Sequence, residues 1–298
     1  MGELELKSCL VERLVCPSCG NTLDFDGQMG EFRCLQGDFI GKIRSGIPLF
    51  IEVAEDIQPF EKKPRGPHHG SPWRQANWRF LQEQVEALPQ DAVILDVGAG
   101  HGDFADIFIG RQAILLDVFP YPEVDVVCDL THSVPFRPHS FDAVVLMNVL
   151  EHVYNSRALF AAINSLLKPG GVFVVAIPFL LKVHQAPYDF VRYTHFGLQR
   201  LGQDFGFELL SLDGYYDPIF LLGEGWRNIE RSELGKLSRY QRVASRGLLW
   251  GIKSAATMLG RLVGKGYTQP SELAVTPSPV GYHVVYRKQF HQGEESFS

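Results

Sequence analysis

The chain has 298 residues, 45% of them hydrophobic, with 28 Lys and Arg against 34 Asp and Glu, for a formal net charge of −6. With a mean hydropathy of −0.03, that composition suits one large packed domain with a small one beside it, and excludes a disordered chain or a bundle of membrane spans. The acidic total also speaks against a chain whose whole surface grips nucleic acid.

In chain order, the first feature is a cysteine knuckle. Cys16 and Cys19 stand two residues apart at a turn, Cys34 follows a polar hairpin, and Gly46-Ile47-Pro48 closes a short strand. Two thiolates at that spacing fit one tetrahedral metal ion, which a second pair normally completes. Position 37, where that pair would place its last cysteine, is Gly. Asp38, Cys9 or water could supply the fourth ligand, and a metal-free hairpin held by Leu14, Leu23, Phe25, Phe32, Phe39 and Ile43 is the equal alternative. The segment reads as a separate unit over residues 1–54. Residues 55–72, with Pro59, Pro64, Pro67 and Pro72, read as a linker. Five cysteines, an odd count, and no apolar leader before the knuckle lead to an expected cytoplasmic location.

Ser71-Pro72 should cap a helix carrying Trp73, Ala76, Phe80 and Leu88, a lid beside the glycine-rich segment next in the chain. Residues 93–102 read VILDVGAGHG: a strand apolar on both faces, then an acid, then glycines at alternate positions. Such glycines let the backbone turn with positive φ and let a ligand come close. The dinucleotide fingerprint would need Gly at 103, where Asp103 stands instead. DFADIFI, 103–109, predicts a helix opening out of the loop. A second strand, 113–118, carries Asp117, 19 residues after Gly98, where a carboxylate could grip ribose hydroxyls. Further strands are predicted within 124–127, before Cys128-Asp129-Leu130, and within 141–153, then a helix with Leu159, Phe160, Ile163 and Leu166 on one face, then a strand after Pro169-Gly170-Gly171. Alternating strand and helix predicts an α/β, doubly wound sheet.

Past the fifth strand, residues 184–194 pack His, Tyr, Asp, Arg and Tyr into eleven positions. Asp189 and Arg192 could form an ion pair fixing the loop, with Thr194 capping the helix from His195; His184 and Tyr188 are the expected substrate contacts, and His152 is a second candidate base or an ordering residue. Strands at 207–212 and 282–287 flank an insertion at about 214–280. Between positions 227 and 265 it holds nine Lys or Arg against two Glu, leaving +7 there and −13 elsewhere. On a helical wheel Leu248, Ile252, Ala255, Leu259, Leu262 and Val263 share one arc, with Arg239, Arg242, Arg246, Lys253 and Arg261 opposite. Such a helix could pack its apolar arc on the core, or lie on an anionic membrane surface beside its substrate; Lys253 and Arg261 exclude a spanning helix.

LDVGAGHG, Asp117, C-D-L at 128–130, DAVVLMNVLEHV and LLKPGG, in order over about 75–213, resemble the class I S-adenosylmethionine-dependent methyltransferases, in particular the bacterial "type 11" group. That resemblance implies a Rossmann-like methyltransferase domain over 73–290. It assigns Asp96 and the Gly98-Ala99-Gly100 to Gly102 backbone to the methionine part of S-adenosyl-L-methionine, Asp117 to the ribose, Asp129 and Leu130 to the adenine edge, and Asn148 to the cofactor pocket. The C-P-x-C and G-I-P elements resemble the small zinc-ribbon-like domain of the activator subunit of tRNA, rRNA and protein methyltransferases, which implies a β-rich bracing unit with zinc at Cys16, Cys19 and Cys34. The expected reaction is methyl transfer to a hydroxyl of a small metabolite, sugar or lipid-linked glycan. Methylation of tRNA, rRNA or a translation factor, and a non-catalytic cofactor-binding scaffold, are the alternatives.

Overall fold

The computed structural model describes residues 6–26, 28–53, 66–232, 238–263, 266–268 and 279–290. In chain order it contains α1 (Ser8–Val11), β1 (Leu23–Asp26), β2 (Glu31–Cys34), β3 (Ile40–Arg44), β4 (Ile47–Leu49), α2 (Pro72–Glu86), β5 (Val93–Val97), β6 (Gln112–Asp117), β7 (Val126–Val127) and β8 (Phe141–Met147). There follow α3 (Ser156–Leu166), β9 (Leu167–Pro178), α4 (His195–Asp204), β10 (Phe207–Tyr216), α5 (Pro218–Ser232), α6 (Arg239–Val263), β11 (Gly266–Thr268) and β12 (Gly281–Lys288).

All twelve strands form one sheet in the order β1-β2-β3-β4-β7-β6-β5-β8-β9-β12-β10-β11. From β4 to β9 the pairs are parallel, as continuous apolar runs require of strands covered on both faces. β12 lies antiparallel between β9 and β10. Alternate residues of β5 enter two apolar layers: Val93, Leu95 and Val97 meet the layer of α3 and α4, while Ile94 meets that of α2. The caps expected at Ser71 and Thr194 are present, with Ser71 Oγ accepting from the Arg74 N–H and Thr194 Oγ1 from that of Gly197.

Three sequence expectations are revised. The N-terminal segment is not a separate unit. β4 pairs with β7 through Leu49 and Val127, and Leu10, Leu14, Phe32 and Phe50 share one core with Val126, Leu130 and Phe136. Two-residue β7 leaves an edge that β4 covers, removing unpaired backbone groups from solvent. Second, the residues after Gly102 form only a 3₁₀ turn, Ala105–Phe108, because Gly110 at φ 77 ends the segment before a second turn can form. Third, the described part of the apolar arc of α6 does not pack on the core: Leu248 and Ile252 are 66% and 42% exposed. The side chains of Lys253, Leu259, Arg261, Leu262 and Val263 lie outside the described set, as does most of the linker. Among the described residues no helix is long and apolar enough to cross a membrane.

Candidate active site

The carboxyl ends of β5, β6 and β8 open on a cleft of about 1080 Å³, the position where a doubly wound sheet leaves room for a ligand. Its floor is the glycine loop. Gly98, Gly100 and Gly102 have φ of 75, 56 and 66°. A Cβ at Gly98 would clash with Val149, whereas one at Gly100 would meet no atom within 4 Å, so the first glycine is required by packing and the second faces open space. Asp96, 2% exposed, lies one residue before the end of β5; burial, with Asp117 and Asp103 nearby, pushes its carboxyl up to about 7. Asp117 ends β6 and ties two loops together. Its Oδ2 accepts from Gly100 N–H at 2.8 Å and its Oδ1 from Phe119 N–H at 3.0 Å, while burial raises its pKa.

Ala99, Leu130 and Asn148 line the same cleft. Asp129 also lines it, but its carboxylate is occupied by its own turn: Oδ1 accepts from Thr131 N–H and hydroxyl, and Oδ2 lies 2.8 Å from His132 Nδ1. Asn148, at φ 57°, is held by a buried network that no sequence signal indicates. Its Oδ1 accepts from Trp73 Nε1 at 2.8 Å and Asn77 Nδ2 at 3.1 Å, and Asn77 Oδ1 faces His283 Nε2 at 2.7 Å. His283 is stacked between Phe80 and Trp73, and burial holds it near pKa 3, neutral at physiological pH. The N-terminus of α2 is clamped to the glycine loop by Arg74, which donates to Asp103 Oδ2 at 2.6 Å and lies over the Phe104 ring. α2 is thus a wall of the cleft as well as a lid.

At the other end of the cleft, the short 3₁₀ turn Leu150–His152 after β8 meets the segment 184–192. The Phe190 N–H donates to the Glu151 carbonyl at 2.8 Å, and His152 Nδ1 lies 2.7 Å from the Tyr188 carbonyl. Glu151 is fully buried, and burial raises its carboxyl to about 8. Burial also lowers the pKa of His152. Asp189 is pinned by Arg192, which holds its carboxyl down to about 2. His152 and His184 both line the cleft, as expected. Tyr188 does not: it is 54% exposed, is absent from the lining, and contributes its carbonyl, not its phenol. Sequence reasoning misses Glu151 because an acid beside a histidine at a strand end reads as a turn residue; its position inside the apolar run VLEHV is the available signal.

In the N-terminal knuckle, the sulfurs of Cys16, Cys19 and Cys34 all lie within 4.8 Å of one another, with Cys19 and Cys34 at 3.4 Å. A Cβ at Gly37 would sit 3.5 Å from Cys34 Sγ and 4.0 Å from Cys19 Sγ, so a fourth cysteine there would have stood beside those two. The cluster fits a zinc-ribbon-like element.

A family model described as a methyltransferase domain matches residues 72–212, the segment carrying the cleft. That match covers just under half of the chain. Over 120 residues, 35% of this chain and 48% of the relative, the sequence is 35% identical to the ubiquinone biosynthesis O-methyltransferase of Xanthomonas campestris. Over another 120-residue match it is 28% identical to the tRNA (carboxymethyluridine(34)-5-O)-methyltransferase of Macaca fascicularis, covering 37% of this chain and 18% of that one. The chain spans less than half the length of these curated relatives. A methyltransferase from Archaeoglobus fulgidus described as SAM-dependent is 15% identical, with a TM-score of 0.46, covering 72% of this chain and 94% of that one. The cleft that carries this match has an open glycine floor, two buried acids, Asp96 and Asp117, and an apolar wall at Leu130, a lining that fits S-adenosyl-L-methionine.

Proposed function

We propose that the protein transfers the methyl group of S-adenosyl-L-methionine to a hydroxyl of a small metabolite, sugar or lipid-linked glycan. The bound cofactor would supply an electrophilic methyl on a sulfonium, so the chain's own residues need only hold an oxygen in line, exclude water and take up a proton. The observation carrying this reading is the convergence of two imidazoles, His152 and His184, with the buried carboxyl of Glu151 at one end of the cleft. Both curated relatives above carry O-methylation in their names, which supports oxygen as the acceptor atom. Asp96 and the 98–102 backbone would bind the methionine part, Asp117 the ribose, and Leu130 the adenine face.

The exposed face of α6 supports an acceptor presented at an anionic lipid surface. Tyr240, Val243 and Trp250 are exposed next to Arg239, Arg242 and Arg246, the pairing of basic and aromatic residues found on interfacial helices. We also infer that zinc occupies Cys16, Cys19 and Cys34, with an exchangeable ligand at the position left open by Gly37. Incubation of extracts with methyl-labelled cofactor tests the reaction. Label should enter a small or lipid-extractable fraction as a base-stable ether. Label released by ribonuclease would favour methylation of RNA instead.

A further inference from the structure

We propose that Glu151 Oε1, His152 Nε2 and His184 Nε2 are the protein ligands of a divalent transition-metal ion at the acceptor end of the cleft. Glu151 is completely buried, and neither of its carboxylate oxygens has a hydrogen-bond donor among the described residues. The buried His152 Nε2 is likewise without one. Native interiors rarely leave such groups unsatisfied, and a buried carboxylate without a donor calls for a counter-cation or a proton. Both imidazole Nε2 atoms point at the same oxygen, each 3.7 Å from Glu151 Oε1. That is too long for a hydrogen bond. Two ligands each about 2.1 Å from a shared ion sit roughly 3.0 to 3.6 Å apart, depending on the angle between them, so each pair needs to close by only about 0.1 to 0.7 Å.

The far side of each ring fits the same role. His152 Nδ1 faces the Tyr188 carbonyl at 2.7 Å, and His184 Nδ1 faces Asp189 Oδ2 at 3.1 Å and the Lys182 carbonyl at 3.3 Å. These partners only accept, so each Nδ1 carries the proton and each neutral ring turns a lone pair at Nε2 towards Glu151. A ligating histidine whose second nitrogen donates to a carbonyl or carboxylate is the usual support of a metal site. Asp189 is itself fixed by Arg192 at 2.8 Å and by the His184 N–H at 2.8 Å, so the second layer is rigid. Two imidazoles and one carboxylate favour manganese, iron, cobalt or zinc over magnesium or calcium, which take oxygen ligands. Three protein ligands leave coordination positions facing the cleft.

The binding of the ion stands on this geometry alone; its use in catalysis rests on the hydroxyl-acceptor reading above. In that use, the acceptor oxygen enters an open position and its proton, made more acidic by the ion, leaves to solvent. The oxygen–methyl bond then forms as the sulfonium–methyl bond breaks, the sulfur keeping the electron pair.

Manganese(II) titration of the full chain, followed by the loss of free-ion electron paramagnetic resonance signal, tests the site, since manganese avoids the thiolate knuckle. The wild type should bind one ion per chain. Glu151→Gln and His184→Gln should each weaken that binding tenfold to a hundredfold, while Cys16→Ser leaves it unchanged. Calorimetric binding of S-adenosyl-L-methionine by each variant reports that it is folded. Wild-type binding no tighter than that of Glu151→Gln would overturn the proposal, as would binding abolished by Cys16→Ser alone. Manganese bound at this site with no effect on ether formation would leave the metal site standing and remove only its use in catalysis, whereas methyl label found on nitrogen in place of an ether would remove the hydroxyl-acceptor reading.

Discussion

Asp96 carries a carboxyl whose folded-state pKa of about 7 lies well above the ordinary 3.8. Between those values the folded chain holds a proton that the unfolded chain has released, so folding stability falls as pH rises through this window and levels off above it. Replacing the acid removes that penalty. Asp96→Asn should therefore raise stability at pH 8 by up to about 4 kcal/mol, read as a higher melting temperature, and leave it unchanged near pH 4. The same variant should lose cofactor affinity. Wild-type binding of a cationic amino group should draw Asp96 into its ionised form, so that affinity climbs with pH up to about 7 and calorimetry in two buffers shows proton release. Asp117→Ala should weaken cofactor binding by roughly 1 to 3 kcal/mol, because it removes the acceptor proposed for the ribose and frees the Gly100 and Phe119 N–H groups it now holds; unchanged affinity would show that Asp117 does not touch the ribose. Asp96, Asp117 and the three loop glycines are legible in the sequence because each sits at a fixed distance from a strand end. Asn77 and His283 are not, since their contact joins residues 206 apart and no local pattern encodes it.

At the scale of the element, α6 is the helix for which the sequence leaves two readings open. Amphipathic periodicity announces a helix and a polar side, but not whether a neighbour covers the apolar arc, and here the described part is uncovered. Vesicles containing anionic lipid should bind the protein at about 1 kcal/mol per basic residue at the surface, with affinity falling as salt shortens the screening length. Neutral vesicles should not bind it. Arg242→Glu with Arg246→Glu should abolish vesicle binding and leave turnover of a soluble acceptor intact; binding that persists in the double variant would detach α6 from the membrane. The strands are closely legible in the sequence, including antiparallel β10 and β12, because apolar runs bounded by Gly and Pro leave few alternatives. The helix expected after the glycine loop is only a 3₁₀ turn, since Phe104, Ile107 and Phe108 also repeat at the spacing of a single tight turn.

Across the whole molecule, the segment expected as a separate N-terminal module is the flank of one continuous sheet. Sequence marks its cysteines but not its docking, because the β4 to β7 pairing is a single parallel register between residues 49 and 127. Metal analysis of protein purified without chelator should find zinc at the knuckle, and Cys16→Ser should lose it together with thermal stability; an unchanged metal content would refute the assignment. β4 leads directly into Ile51, which lines the cofactor cleft. If zinc occupies the knuckle as proposed, the knuckle and the cleft share one structural wall, and any coupling between their ligands must be reciprocal. Stripping zinc should loosen S-adenosyl-L-methionine, and saturating S-adenosyl-L-methionine should tighten zinc against a competing chelator at equilibrium by the same free energy. This would make the methyltransferase responsive to zinc supply and thiol oxidation without any contact between metal and cofactor.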